Sequence, residues 1–513
     1  MPAAKVSFQC STPQSLRLSV SLSLCLSVIT LLVSLLLPAT GIAQKNQRPK
    51  LLPAARKDLA GKIILLPQDD RYLELKMMAQ IADHYLMLPP SRFLAPEPRP
   101  AELVEWLKGQ NLAGVTGVLV SLDANITELS PVLKQFRAQN SKLPIYGFAS
   151  LDSSTEASKQ SCQSAIDLVA DNSLDFLLIG QDEDLNAKPA QIARARLIGD
   201  AASREIGEKV AFASGQTSLP EILLAKMLAQ RFGRSPKVLP VYSSNEGRTS
   251  KDNDTVSLNQ IINAKIKLLG GSVLTQNQES APQVDALLFI HMPQTSEAQR
   301  TDLVMSVLQT IDSGVRVTFL DLSESKQTKE AMLAELRSHK LLGKLTSYAS
   351  AAPGDSSREA VNRALAQTSI FFTAIKSLRD DIDRVHRIER AQINLLFSRI
   401  LEDWGYQLIV RPQLEEFARQ QLQADPSKLG DKTERAETFA NGALRKLATE
   451  LFDEQFNRNV HAILMNSGTR IQFRISMLQQ LQVRFPSQNI AEPEIRQIIH
   501  TFFEGYLPNG GRQ

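Results

Sequence analysis

Short runs of apolar and β-branched residues alternate with longer helix-period stretches along residues 61–350. The first run, Lys62-Ile63-Ile64-Leu65-Leu66, stops at Pro67-Gln68-Asp69-Asp70-Arg71. Leu73, Met77, Met78 and Ile81 then follow at helical spacing. This succession predicts a buried strand, a polar loop at its carboxyl end and a return helix, the opening unit of an α/β fold. Strands are predicted at 62–66, 84–88, 115–122, 143–149, 174–180 and 209–213. Amphipathic helices are predicted near 72–82, 100–109, 126–139, 155–170, 189–206 and 218–231. A shorter set has strands at 237–243, 272–275, 284–291 and 314–321, with helices near 255–269, 297–312 and 327–338. Strands alternating with helices of this length imply mostly parallel sheets covered by helices. After the loop at 351–357 the strand signal fades. Residues 358–404 keep helical spacing, and 412–422, 433–464, 469–484 and 492–505 read as further helices.

The pattern divides the chain into an α/β block at 61–235, a second α/β block at 236–350 and a largely helical C-terminal region at 351–513. A single βα barrel-like core is the alternative, since it also gathers strand ends on one rim. The length of 513 residues favours several cores over one. Upstream, residues 18–37 are Leu, Ser and Val almost throughout, preceded by Arg17 and followed by Pro38 through Gln44. Residues 1–43 therefore read as a secretory signal cleaved after Ala43, which places the protein in the periplasm or outside the cell. The apolar run also has the length to span a membrane, so an uncleaved inner-membrane anchor is the rival. Residues 44–60 are polar with prolines and read as a linker.

Composition changes this picture little. Hydrophobic content of 43% and charged content of 22% are those of an ordinary globular protein. A formal charge of +4, to which Lys5 and Arg17 contribute, gives no clustered basic face, so nucleic acid is not an expected partner. Cys162 is the only cysteine after residue 43; no internal disulfide is expected, and its helical setting reads as a buried inert thiol. The oligomeric state is left open.

The candidate chemistry lies at strand ends. Asp69, Asp70 and Arg71 follow the first strand, Asp123 the third, and Asp182-Glu183-Asp184 the fifth. Glu246 follows the first strand of the second block. In α/β sheets ligands sit outside the carboxyl ends of strands, so these groups are candidates for one shared pocket. Paired carboxylates beside an arginine suit general acid or base work, sugar hydroxyls or a hard cation. The plainer reading makes the aspartates helix caps and Arg71 a local ion pair. Asp321 and His291 also end strands; the first resembles an ordinary helix start and the second a satisfied histidine at the core edge. The six histidines are not spaced as metal pairs, so no zinc site is expected; Mg²⁺ or Ca²⁺ on the carboxylates is the only cofactor considered. A P-loop, a dinucleotide fingerprint and a serine-hydrolase elbow are all missing.

Several segments together resemble the bacterial domain-of-unknown-function family 4127 over about residues 61–505. They are Leu66-Pro67-Gln68-Asp69-Asp70-Arg71, Ser121-Leu122-Asp123, Gly180-Gln181-Asp182-Glu183-Asp184, Tyr242-Ser243-Ser244-Asn245-Glu246-Gly247, Ala286-Leu287-Leu288-Phe289 and Arg399-Ile400-Leu401-Glu402-Asp403-Trp404-Gly405-Tyr406. The resemblance implies an architecture and a site, and no particular reaction. The chain also departs from the family. Tyr72 stands where relatives carry proline, Ala124-Asn125-Ile126-Thr127 replaces a tyrosine- and glycine-rich segment, and Gly215-Gln216-Thr217-Ser218 replaces an acidic motif. Ala351-Ala352-Pro353-Gly354 stands in place of a Trp-Asn-Thr-type loop.

The expectation is an exported carboxylate-based hydrolase acting on a glycan or similar polar small molecule. Asp70 and Asp182 would serve as acid and base, with Asp69, Arg71, Asp123 and Glu246 binding the ligand. The alternative is a non-catalytic exported binding or scaffold protein on a degenerate enzyme-like fold, touching a membrane only through an uncleaved N-terminus.

Overall fold

The computed structural model describes residues 59–507 except 68–71, 95–98, 124–125, 153, 182–187, 215–217, 245–248, 250–256, 275–283, 324 and 352–356. Lys57–Gln513 form one compact unit. Its first half is a six-stranded parallel sheet, β1 (Gly61–Leu66), β2 (His84–Met87), β3 (Val115–Ser121), β4 (Ile145–Leu151), β5 (Phe176–Gln181) and β6 (Val210–Ser214). The strand order is β2-β1-β3-β4-β5-β6. The helices are α1 (Leu73–Ile81), α2 (Pro100–Lys108), α3 (Ile126–Gln139), α4 (Glu156–Ala170), α5 (Lys188–Ser203) and α6 (Leu219–Phe232). Strands such as β1, with Ile63, Ile64, Leu65 and Leu66 all buried, are apolar on both faces because helices cover both.

A second parallel sheet repeats the plan with five strands: β7 (Lys237–Tyr242), β8 (Ser272–Val273), β9 (Ala286–His291), β10 (Arg316–Asp321) and β11 (Ser347–Ser350). Its order is β11-β10-β9-β7-β8. In both sheets the strand order reverses between the first and third strands, the place where open sheets of this kind bind ligands. The helices are α7 (Leu258–Leu268), α8 (Glu297–Asp312) and α9 (Lys326–Ser338), followed by α10 (Ser357–Leu378) and α11 (Ile382–Ile400). A π-helix (Leu401–Val410), α12 (Arg411–Gln420) and α13 (Thr433–Leu451) complete the helical part. Two open sheets are present, which removes the barrel alternative.

Three apolar clusters hold the unit together. The first fills the layer between the sheets, joining Ile63, Leu65 and Leu119 to Leu288, Ile290 and Leu320 through α1, α6, α7 and α10. The second packs the far face of the second sheet under α11, the π-helix and α13. The third covers the outer face of the first sheet.

The C-terminus corrects three expectations. The helix read over 433–464 is helical only in its first part, and Val460–Leu464 is the strand β12; residues 469–484 and 492–505, also read as helices, are the long antiparallel strands β13 (Arg470–Arg484) and β14 (Glu494–Leu507), in the order β12-β13-β14. Ile471, Phe473 and Ile475 point inward in strict alternation, the period of a strand with one buried face. The segment Met477 to Leu481 obscures that signal in sequence because its residues favour helices and the register shifts within it. The core at 358–378 and 382–400 is helical as expected.

Candidate functional site

Three helices that follow strand carboxyl ends each carry a glutamate in the first turn: Glu74 of α1, Glu221 of α6 and Glu359 of α10. The helix dipole favours negative charge there. Gly180 on β5 brings α6 in close, since a Cβ at that position would sit 2.5 Å from Leu219 Cδ1. β1 and β6 stand four strands apart in their sheet, and it is the first turns of α1, α6 and α10 that bring Glu74, Glu221 and Glu359 together. Arg363 of α10 and Arg399 of α11 converge on them, together with Glu402 and Asp403 at the start of the π-helix.

Arg399, buried to 1% exposure, is the hub. Its Nε donates to Glu74 and its Nη2 pairs ionically with the same carboxylate, and its Nη1 donates to the Arg363 carbonyl at 3.0 Å and to Gln367 Oε1 at 2.6 Å. Glu221 lies 3.8 Å from Arg399 Nη2. Arg363 bridges Glu74 at 3.5 Å and Asp403 at 3.7 Å, while the Ser350 amide at the end of β11 donates to Asp403 at 3.0 Å.

The acids do not share one fate. Burial pushes Glu74 up, but Arg363 and Arg399 outweigh it and hold the carboxyl below its ordinary value. Burial and then the neighbouring Glu74 drive Glu221 well above its ordinary value. Burial lifts Glu402 to about 7; Arg363 opposes this, and Asp403 and Glu74 add to it. A half-buried carboxyl that exchanges its proton near neutrality, beside acids pushed in opposite directions, is what acid–base chemistry requires. The π-helix that presents it is a rare geometry, found frequently at functional sites.

A second polar element lies one strand further along. His291 ends β9 and Asp321 ends β10; both are fully buried, with Nδ1 2.9 Å from Oδ1. The Ser323 amide (2.9 Å) and hydroxyl (2.6 Å) also donate to that oxygen. On the other side of the ring, His291 Nε2 is buried and meets no hydrogen-bond partner among the described residues. Tyr348 on β11 feels the charges of both Asp321 and Asp403, so this pair and the ion cluster flank the same strand end.

Of the six residues expected to form the site, Asp123 alone is described. It is half-buried and turned to β4, accepting from the Ser150 amide at 2.5 Å and the Ser150 hydroxyl at 3.1 Å. Burial raises its pKa, and the Ser150 bonds oppose that rise. Asp69, Asp70, Arg71, Asp182 and Glu246 lie outside the described residues. The strands that precede Asp69, Asp123 and Asp182 (β1, β3 and β5) belong to one parallel sheet. Burial, with Asp123 adding, lifts the Cys162 thiol to about 12, the state of an unreactive cysteine. Glu74, Glu221, Arg363 and Arg399 were not recognised as a site from the sequence. They are scattered over four helices, and of the cluster only Arg399, Glu402 and Asp403 fell within a quoted motif. Among the described residues, no group of three or more His, Cys, Asp and Glu side chains is placed to hold a metal ion. No helix among them is long and apolar enough to cross a membrane.

Comparison with known proteins adds a family. The model described as protein of unknown function (DUF4127) matches residues 153–486. No curated protein matches. Among solved structures, the apo dinucleotide-forming acetyl-coenzyme A synthetase 1 of Ca. Korarchaeum cryptofilum is similar at 11% identity and a TM-score of 0.23, over 64% of this chain and 67% of that one. A XylFII–LytSN complex mutant is similar at 10% identity and a TM-score of 0.15, over 60% of this chain and 91% of that one. Likeness at this level carries no functional argument.

Proposed function

The chain belongs to the DUF4127 family, and from that premise we propose that it is an exported, carboxylate-based hydrolase acting on a carbohydrate or similar polar ligand at the carboxyl ends of its sheets. What supports the reading is Glu402, poised at about 7 beside Arg363 and Asp403. A general acid works best with a pKa near the operating pH, because it is then both populated in the protonated form and ready to give the proton up. In this reading Glu402 donates to the leaving oxygen. A carboxylate from Asp69, Asp70 or Asp182 serves as base or nucleophile, and Arg71 orients the ligand. Residues 1–43 direct export.

A second reading, a non-catalytic binding protein, draws on Asp123, whose carboxylate is engaged by Ser150. One experiment separates the two. The purified protein is taken through a glycan and ester panel with and without Mg²⁺ or Ca²⁺, beside Glu402→Gln and Asp70→Asn, and ligands are scored by thermal shift. A ligand at 100 times its Kd stabilises the fold by about 2.7 kcal/mol, which is readily seen. Turnover that both substitutions cut supports the hydrolase. Binding without turnover favours the second reading, and turnover indifferent to Glu402→Gln refutes the role given to that residue.

A further inference from the structure

We infer that Lys265 of α7 binds the carboxylate of the ligand, which makes the substrate class an acidic sugar or similar polar acid; this rests on the proposed function and narrows it. α7 begins beyond the carboxyl end of β7, where Tyr242 Oη donates to Asn259 at 3.0 Å and both residues are half-buried. Leu258, Ile262 and Ile266 carry the buried face of α7 into the first apolar cluster. Lys265 is buried with them, at 7% exposure. Its Nζ meets no hydrogen-bond partner among the described residues. Lysine is almost never fully buried unless paired, because an ammonium withdrawn from water without a partner is costly. An apolar side chain of the same length would pack at this position without that cost.

The charges that act on Lys265 come from the first turn of α10. Burial lowers the pKa of the ammonium to about 8; Glu359 opposes that fall and Arg358 adds to it. Lys265 is therefore still largely protonated at neutral pH. Glu359 acts on Glu221 as well, so Lys265 stands on the α7 side of the acid cluster described above. Asn362, one turn further along α10, donates to Ser218 Oγ at 2.8 Å and ties this helix start to that of α6. The positive end of the α10 dipole adds to the two cations. An anion is the chemistry that such a corner accepts. One unpartnered ammonium matches the single charge of a carboxylate better than the double charge of a phosphate ester.

The test titrates the purified protein and Lys265→Met with glucuronate, galacturonate, glucose and glucose 6-phosphate, read by calorimetry and thermal shift. The uronates are expected to bind in preference to the other two. Lys265→Met should weaken that binding on the order of tenfold to a hundredfold, the worth of one charge-assisted hydrogen bond. Without ligand, the same variant should melt at or above the wild-type temperature, because an unpartnered buried cation gives way to an apolar chain. A lysine that serves only the fold would make the variant melt lower, and that result overturns the inference. Uronates that fail to bind, binding that Lys265→Met leaves intact, and a preference for glucose 6-phosphate each overturn it too. Bound uronates that are never turned over keep the subsite and count against the hydrolase. A neutral glycoside cleaved equally by wild type and Lys265→Met, with no uronate bound, keeps the hydrolase and removes the subsite.

Discussion

Replacing Arg399 by methionine removes the guanidinium at the centre of the buried ion cluster. The lost contacts are the Nε bond and Nη2 ion pair to Glu74, the 2.6 Å bond to Gln367 and the 3.0 Å bond to the Arg363 carbonyl. Adding ~1.5–3 kcal/mol for each charge-assisted bond would overstate the effect, because Arg399 is itself costly to bury. Breaking one side of a buried ion pair costs about 3–5 kcal/mol, much of it from the partner left unpaired. Here Glu74 would retain only Arg363, at 3.5 Å. Unfolding entropy of ~2.1 cal/mol/K per residue over Lys57–Gln513 converts this into a fall in Tm on the order of 4 °C. Differential scanning calorimetry reads that shift directly. The double variant Glu74→Met with Arg399→Met removes both charges and should recover about half of the loss. The reasoning is refuted by a single variant within about 1 kcal/mol of wild type, or by a double variant whose cost is the sum of the two singles.

Two further substitutions probe the frame around the site. A Cβ on Gly343 would lie 2.1 Å from the Gln455 carbonyl oxygen and 2.5 Å from Asn459 Nδ2, so Gly343→Ala must push backbone apart. A loss of about 3 kcal/mol in urea unfolding is expected, the upper end for overpacking; a neutral result would show that this contact is slack. His84 is buried with Nδ1 2.7 Å from the Ala82 carbonyl, and burial lowers its pKa from 6.5 to about 4. Because the folded pKa is depressed, the unfolded chain takes up the proton first. Stability is fully present above pH 6.5 and falls by about 3 kcal/mol as pH drops through 4. His84→Phe should flatten that part of the urea-midpoint profile relative to wild type, and an unchanged slope would contradict the assignment.

The α/β part of the fold was legible because buried parallel strands write themselves as short apolar runs. Ile63 to Leu66, Val118 to Val120 and Leu177 to Ile179 each stop at a polar loop, and the observed strands begin and end within a residue or two of the expected limits. Ser347–Ser350 escaped notice because four residues of Ser-Tyr-Ala-Ser carry no apolar run, although all four are buried. The C-terminal strands were misread where register shifts break the alternation after Ile475. The ion cluster was invisible for another reason. Glu74, Glu221, Arg363 and Arg399 sit on solvent-like helix positions in sequence, and only the packing of α10 and α11 against α1 and α6 buries them together. Of the strand-end groups, Asp69, Asp70, Asp182 and Glu246 lie outside the described residues, and the helices that follow the strands bring most of the described charges.

The proton on Glu402 tests the account most directly. Infrared spectroscopy follows protonated carboxyl groups as pH is raised, and the share of the band lost in Glu402→Gln belongs to this residue. The account predicts a midpoint near 7. A midpoint near the ordinary carboxylate value of 4.5 would remove the poised acid on which the proposed function rests.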